Sequence, residues 1–264
     1  MALFAQFLLR LAFGLAACMA TVSPQWVASG YFRNHLYVTL GLSAMASLLL
    51  GSLGSPGLTA AIIAAVASYA GAVCWLYEMP RAGRTLLVVV AIAALTAAWQ
   101  SDAAPTSDEA ASLAAASEAG GSGAASEWLN AAAPLTSGLV LGAAMAAMLL
   151  GHWYLNAPGM QLAPLRRLIA LIAGAVALQA IVCGTGLALA ASGAQSFDMP
   201  TWSMIAGRWA FGLLGVAALA WMARETLKIP NTQSATGILY VAVIGSFAGE
   251  MLSLMLSAQH GYPL

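Results

Sequence analysis

Long apolar stretches separated by short polar connectors set the pattern of this chain. Eight such stretches lie at residues 5–23, 35–53, 58–77, 83–100, 135–155, 165–191, 202–223 and 236–258. A bilayer core about 30 Å thick needs about 20 apolar residues in a helix. The stretches do not alternate apolar and polar residues with the two-residue period of a membrane strand. The pattern therefore predicts an all-α, polytopic membrane bundle of about eight transmembrane helices.

The composition excludes several other classes of protein. Hydrophobic residues make up 61% of the 264 residues and charged residues 7%, whereas soluble domains carry about 25% charged residues. Nine basic residues balance nine acidic ones without a basic stripe, so we expect no nucleic-acid partner. The lipid bilayer is the predicted surrounding. Cys18, Cys74 and Cys183 lie in three separate apolar stretches and are predicted to be packing residues.

The connectors give the orientation of the chain. Those after the first, third, fifth and seventh stretches contain the basic residues Arg33, Arg81, Arg84, Arg166, Arg167, Arg224 and Lys228. The other connectors and the C-terminal tail contain none. The positive-inside rule therefore predicts that both termini face out, in what we expect to be a bacterial inner (plasma) membrane. Residues 5–23 also resemble a signal peptide. If they were cleaved, seven spans would start from the outside and would not fit this orientation, so we expect a retained first span.

The connector at residues 101–134 differs from the others, being acidic, free of Lys and Arg, and rich in Ala, Ser and Gly. It is predicted to be an external loop that divides the chain into a first four-helix half (1–100) and a second (135–264). Thr106 to Glu109 has the form of a capping box, which predicts a short external helix. The acidic charge suits a solvated loop, and it would also suit a basic partner such as a soluble electron carrier.

Two charged residues lie deep in the second half, and charges inside a membrane span are functional candidates because they are costly there. Arg208 and Glu250 lie about 9 and 12 Å below the outer boundary, on consecutive antiparallel spans. Their ion pair is the natural prediction, with Arg10 in the first span as a competing partner. The pair could simply hold the two spans together. It could also form a quinone site, in which Arg208 donates to the head group and Glu250 accepts a proton.

Two histidines offer a different cofactor. His35 and His152 lie near the cytoplasmic face on different helices, where two imidazoles could bind a haem b. We rank this below a quinone site, because both residues are almost at the interface. The sequence contains no G-x-x-x-x-G-K-S/T, H-E-x-x-H or G-x-S-x-G motif. No catalytic residue and no metal site are therefore predicted, and the chain is expected to be a non-catalytic or partner-dependent subunit.

The second half carries a family resemblance. The residues that carry it are Leu149-Leu150-Gly151-His152-Trp153-Tyr154-Leu155, Pro164-Leu165-Arg166-Arg167, Trp202-Ser203-Met204, Arg208 and Ala248-Gly249-Glu250. In this order they are similar to the last four spans of the dimethyl sulfoxide reductase membrane anchor. They resemble the polysulfide reductase anchor family more loosely. The resemblance implies a haem-free anchor that oxidises quinol and passes electrons to a peripheral iron–sulfur or other redox subunit. The alternatives are a small-solute or proton-coupled transporter, a haem b cytochrome and a structural membrane subunit.

Overall fold

The computed structural model describes residues 1–102, 123–157, 160–192, 197–229, 231–261 and 263–264. These residues form eight helices that are long and apolar enough to cross a membrane, and they contain no strand. In chain order the helices are α1 (Ala2–Thr21), α2 (Ser29–Leu53), α3 (Leu58–Leu76), α4 (Pro80–Asp102), α5 (Gly123–Asn156), α6 (Ala163–Ser192), α7 (Met199–Thr226) and α8 (Thr232–His260). The predicted all-α membrane bundle is confirmed.

Helix ends follow local chemistry. Asp198 caps α7 by accepting a hydrogen bond from the Thr201 amide at 3.0 Å, and Asn231 caps α8 by the same contact with the Ser234 amide. Gly54 ends α2 with a φ of 63°, a backbone conformation that glycine adopts without a steric penalty. These short polar signals set where α2 ends and where α7 and α8 begin.

The predicted boundaries differ from the structure by a few residues at several helix ends, as at α2, which begins at Ser29 and not at 35, and most at the start of α5. The connector was predicted to end at residue 134, but α5 begins at Gly123 and includes Pro134. The residues before Pro134 are rich in alanine, the strongest helix former, so the helix extends beyond the apolar stretch. The predicted capping-box helix at residues 106–109 lies outside the described residues.

The two most enclosed helices, α1 and α5, pack against each other in the middle of the bundle. Their most apolar windows are 78% buried, against 28% to 50% for the other six spans. A Cβ atom on Gly14 would lie 1.7 Å from the Gly138 carbonyl oxygen, and one on Gly142 would lie 1.8 Å from the Gly14 carbonyl carbon. Glycine at these three positions therefore lets the two backbones touch.

The remaining helices surround this central pair. α1 also contacts α2 and α4, while α5 contacts α6 and α8, and α7 packs between α6 and α8. α1 further contacts α8, so the two halves of the chain meet along α1, α5 and α8. An even number of spans places both termini on one side, and the helix ends that carry most of the basic residues lie on the other. The distribution of basic residues predicts that the first side faces out, and we call it the outer side below.

The middle of α7 has an irregular helical geometry. Residues Arg208–Gly215 form a π-helix between the α-helical segments Met199–Gly207 and Val216–Thr226. A Cβ atom on Gly249 of α8 would lie 2.3 Å from the Gly212 Cα atom, so the two helices touch there. π-helical turns within longer helices are frequent at functional sites, and this one begins at the buried Arg208.

Candidate functional site

An ion pair in the outer half of the bundle joins the first and last helices. The Arg10 guanidinium on α1 lies 2.8 Å from a carboxylate oxygen of Glu250 on α8. Arg10 is 6% exposed and Glu250 is 2% exposed. The same Arg10 nitrogen donates to the Ser137 hydroxyl of α5 at 3.3 Å. Three helices thus contribute to one buried polar contact about 12 to 15 Å from the outer helix ends.

The Arg10 side chain is connected to the outer end of α4. Its Nε donates to the Gln6 side-chain oxygen at 3.4 Å. The Gln6 amide nitrogen donates to the Ala98 carbonyl at 2.7 Å and to the Ser101 hydroxyl at 2.6 Å. Ser101 is half-buried at the outer end of α4. A continuous hydrogen-bonded chain therefore leads from Glu250 towards the outer surface.

Apolar groups enclose the ion pair. One turn away on the same helices, the Phe7 and Phe247 rings meet edge to face with centroids 5.1 Å apart. Aromatic and aliphatic surroundings lower the local dielectric constant, which strengthens the attraction between the charges and raises the cost of leaving one unpaired. The pair is thus both tightly held and sensitive to the loss of either partner.

Arg208 has a separate set of neighbours. It is 1% exposed, and its Nη2 lies 3.9 Å from the Cys183 sulfur of α6. Its Nε atom is buried and has no hydrogen-bond partner. Gln179 donates to the same sulfur at 3.4 Å and is hydrogen-bonded to the Thr136 hydroxyl of α5. A buried guanidinium with an unused donor is a costly feature, because burial removes the water that would otherwise bind it.

These two groups of polar side chains belong to one region of the bundle. The Arg208 Nη1 atom lies 3.1 Å from the position of a Cβ atom on Gly249, the residue directly before Glu250. Thr136 and Ser137 are neighbours on α5, and each contacts one of the groups. We call the combined set the outer polar cluster; its members are Gln6, Arg10, Ser101, Thr136, Ser137, Gln179, Cys183, Arg208 and Glu250.

The pairing within the cluster differs from the first prediction. The sequence favoured Arg208 as the partner of Glu250, with Arg10 as a competitor, whereas the 2.8 Å contact joins Glu250 to Arg10. Depth in the membrane can be counted from the sequence, but the direction in which a helix face points depends on packing. Because α8 contacts both α1 and α7, depth alone could not distinguish the two arginines.

Several members of the cluster carried only a weak signal in the sequence. Gln6, Ser137 and Gln179 are polar residues inside apolar stretches or near their outer ends. Cys183 was predicted to be a packing residue, and its sulfur also contacts Arg208. The common signal is a polar side chain at one depth on several spans, which becomes visible only after the spans and their directions are assigned.

The two candidate haem ligands face different neighbours. His35 is buried, with its Nδ1 2.5 Å from the Tyr31 carbonyl and its ring near Trp153. His152 is exposed, and its Nδ1 lies 3.4 Å from the Tyr240 hydroxyl of α8. Among the described residues no contact joins the two rings. The binding of a haem b between them stays a prediction.

Pro263 and Leu264 pack on the outer side of that part of the outer polar cluster which α6 and α8 contribute. Leu264 is fully buried in a small apolar group with Ala190, Ile205 and Leu256. Its carbonyl oxygen accepts a hydrogen bond from the Ser253 hydroxyl at 3.2 Å. Beside it, the Pro263 carbonyl oxygen lies so close to Gly186 that a Cβ atom there would be 2.3 Å away. Gly186 follows Cys183 on α6 by about one turn, so this segment lies between Cys183 and the outer face.

Comparisons of the chain with family models, with curated proteins and with solved structures found no match.

Proposed function

We propose that this integral membrane protein binds a quinone or quinol at the outer polar cluster and serves quinone-linked electron transfer. The observation that carries the proposal is Arg208, a fully buried cation whose Nε donor has no partner. A quinone carbonyl is a neutral acceptor that a guanidinium can bind. Since an unused buried donor costs free energy, a bound acceptor would recover that cost.

Glu250 supplies the second function that a quinol site needs. Oxidation of a quinol releases one proton for every electron, and a carboxylate nearby can accept that proton. Glu250 follows Gly249, which packs against the Arg208 guanidinium. Its partner Arg10 is linked through Gln6 to Ser101 near the outer surface. In this proposal the electrons pass to a partner redox subunit, and Glu250 releases each proton to water at the outer side. Arg10 stays protonated and holds the carboxylate in place.

Binding of a short-chain quinone to the purified protein tests the proposal. Trp209 follows Arg208 directly, and its ring lies 3.6 Å from the position of a Cβ atom on Gly184, so it reports on this region. We expect decylubiquinone to quench tryptophan fluorescence in a saturable way. Trp209→Phe should remove most of that saturable signal without weakening binding in a competition assay.

Variants of the cluster decide whether the quinone binds where we propose. Arg208→Gln should weaken binding by about tenfold or more, as expected for the loss of one charge-assisted hydrogen bond. Arg224→Gln, an arginine at the exposed inner end of the same helix, is the matched control and should bind like the wild type. Equal binding by the Arg208 variant, or quenching that never saturates, would overturn the proposal.

The partner subunit and the inner membrane belong to the same proposal. The resemblance to the dimethyl sulfoxide reductase anchor implies a peripheral iron–sulfur subunit, and the exposed tryptophan and leucine side chains of the described spans suit a lipid environment. Affinity purification in a mild detergent should recover a hydrophilic redox protein with the chain. Recovery of the chain alone, together with solute uptake in liposomes, would favour the transporter alternative.

A further inference from the structure

A groove on the lipid-facing side of α1, α5 and α6 lies apart from the outer polar cluster. Its volume is about 560 Å³, within the range of small-ligand sites. The lining is almost entirely apolar, and it includes Thr21 of α1 and Ala170, Leu171, Gly174, Leu178 and Ile181 of α6. Gly174 leaves open space, because a Cβ atom there would meet nothing within 4 Å.

The length and direction of the groove match one leaflet of the membrane. Along α6 the lining runs from Ala170 to Ile181, which is about 16 Å at 1.5 Å per residue. This is about half of a hydrocarbon core some 30 Å thick. On α1 the lining reaches Thr21, the last residue of the helix at the inner side. The groove therefore extends from the inner interface to about the middle of the bilayer.

A cation stands at the inner mouth of the groove. Arg167 precedes Ala170, Leu171 and Gly174 on one face of α6 at spacings of three, four and seven residues. It lines a small indentation that shares Thr21 with the groove. The Arg167 guanidinium lies over the Trp26 ring, 4.6 Å from its centroid. Stacking on an aromatic ring leaves the edge of a guanidinium free to bind a phosphate.

A second arginine stands beside the same end of α1. The Arg84 Nε on α4 donates to the Ala20 carbonyl at 2.9 Å, and the side chain is otherwise exposed. The inner end of α1 is thus flanked by Arg167 on one side and Arg84 on the other. Basic pockets between helices on the cytoplasmic side are typical of sites that bind anionic lipid head groups.

We infer that the groove binds one anionic phospholipid of the inner leaflet, with an acyl chain along α6 and the head-group phosphate at Arg167. The apolar lining, the length of one leaflet and the cation at the interfacial end together match the two parts of such a lipid. A quinone would suit this groove less well. Arg167 is exposed to water, where its hydrogen bond to a neutral carbonyl gains less than its contact with a charged phosphate. This site does not depend on the proposed quinone site.

Native mass spectrometry of the detergent-solubilised chain, titrated with phosphatidylglycerol or with phosphatidylcholine of the same acyl chains, tests this inference. We expect one saturable site that prefers phosphatidylglycerol. Arg167→Gln should abolish a preference of about fivefold, the effect of one cation at a membrane surface. Gly174→Phe should abolish saturable binding of both lipids, because the new ring fills the groove.

Matched controls separate the groove from general effects. Gly41→Phe adds the same ring at a glycine of α2 whose surroundings are also open, and Arg224→Gln removes another exposed arginine of the inner side. Both should bind lipid like the wild type. If Gly174→Phe does not fold, Leu178→Trp fills the groove from a position that is 51% exposed.

Three results would overturn the inference. One is a wild-type protein without saturable binding or without a preference for phosphatidylglycerol. Another is a folded Gly174→Phe or Leu178→Trp variant that binds lipid as well as the wild type does, or an Arg167→Gln variant that prefers phosphatidylglycerol as strongly as the wild type does. The third is displacement of the lipid signal by millimolar inorganic phosphate, which would identify free phosphate as the ligand of Arg167.

Discussion

Arg10 and Glu250 illustrate how a buried charge pair behaves in a membrane protein. Removing two charges from water costs several kcal/mol per ion, and their attraction offsets this cost only when the geometry is good and further hydrogen bonds are present. At this pair the contact is 2.8 Å, and Ser137 and Gln6 supply the further hydrogen bonds. The pair therefore holds α1 against α8 mainly because neither charge can be left alone.

Removal of one partner should be more damaging than removal of both. We expect Glu250→Leu to destabilise the protein by about 3–5 kcal/mol, because the charge of Arg10 then loses its carboxylate partner. Arg10→Met/Glu250→Leu should recover most of this loss. Unfolding in mixed detergent micelles measures both values. Quinone binding by the double variant should stay impaired, and a double variant no more stable than the single one would contradict this account.

At the residue scale, the sequence indicates which charged residues are functional candidates, but it says less about which side chains they contact. Arg10, Arg208 and Glu250 could be selected because a charge in an apolar stretch is rare and costly. Cys183 and Gln6 could not be selected, because a thiol or an amide in a helix is compatible with ordinary packing. Their role becomes visible only when packing places them against an arginine.

At the element scale, glycine decides how closely the central helices approach. We expect Gly142→Ala on α5 to destabilise the protein by about 1–3 kcal/mol, because the new Cβ atom would overlap the Gly14 backbone. Gly174→Ala on α6 is the control, since its Cβ atom meets open space. Thermal unfolding of the two variants measures the difference. If Gly142→Ala proved as stable as the control, the tight packing of α1 on α5 would be wrong.

The start of α7 depends on the ionisation of Asp198. The hydrogen bond from Thr201 lowers the pKa of Asp198 below its ordinary value. Because the pKa of Asp198 is lower in the folded state than in the unfolded state, the cap stabilises the fold fully above the unfolded-state pKa of about 3.9. This stabilisation is lost as the pH falls through the folded-state pKa. The cap is thus a pH-dependent part of the helix end.

Hydrogen exchange in the first turn of α7, corrected for intrinsic rates, measures this dependence. We expect wild-type protection to decrease below about pH 4, as the carboxylate loses its charge near a positive helix end. Asp198→Asn keeps the capping oxygen but does not titrate, so its protection should not change with pH. Identical pH profiles for the two proteins would show that Asp198 does not control this helix end.

Element boundaries show where the sequence pattern was sufficient and where it was not. All eight spans could be predicted, because a stretch of about 20 apolar residues has few other solutions in a membrane protein. The early start of α5 at Gly123 could not, since the apolar pattern begins only near residue 135 and alanine continues the helix beyond it. The π-helix in α7 also has no simple sequence signal.

At the scale of the whole molecule, orientation rests on the distribution of seven basic residues. An alkaline-phosphatase fusion within residues 103–122 should be active, because this connector is predicted to face the outside. A fusion in the connector between α3 and α4, near Arg81 and Arg84, should be inactive. The reverse pattern would invert the topology and would place the polar cluster in the inner half of the membrane.

The outer polar cluster draws on six helices, α1, α4, α5, α6, α7 and α8, and thus on both halves of the chain. Its charges lie at similar depths, and its hydrogen bonds lead towards the outer surface. The central claim is that this cluster binds the head group of a quinone. A reagent that labels the residues in contact with the bound quinone is therefore the most direct test.

Photolabelling of the purified protein with an azido-quinone, followed by peptide mapping, provides that test. We predict saturable label on the peptides of α7 and α8 that contain Arg208 and Glu250. Excess decylubiquinone should remove this label, and Arg208→Gln should lose it. Label that decylubiquinone does not remove, or that appears instead on the inner halves of α2 and α5 near His35 and His152, would contradict the account.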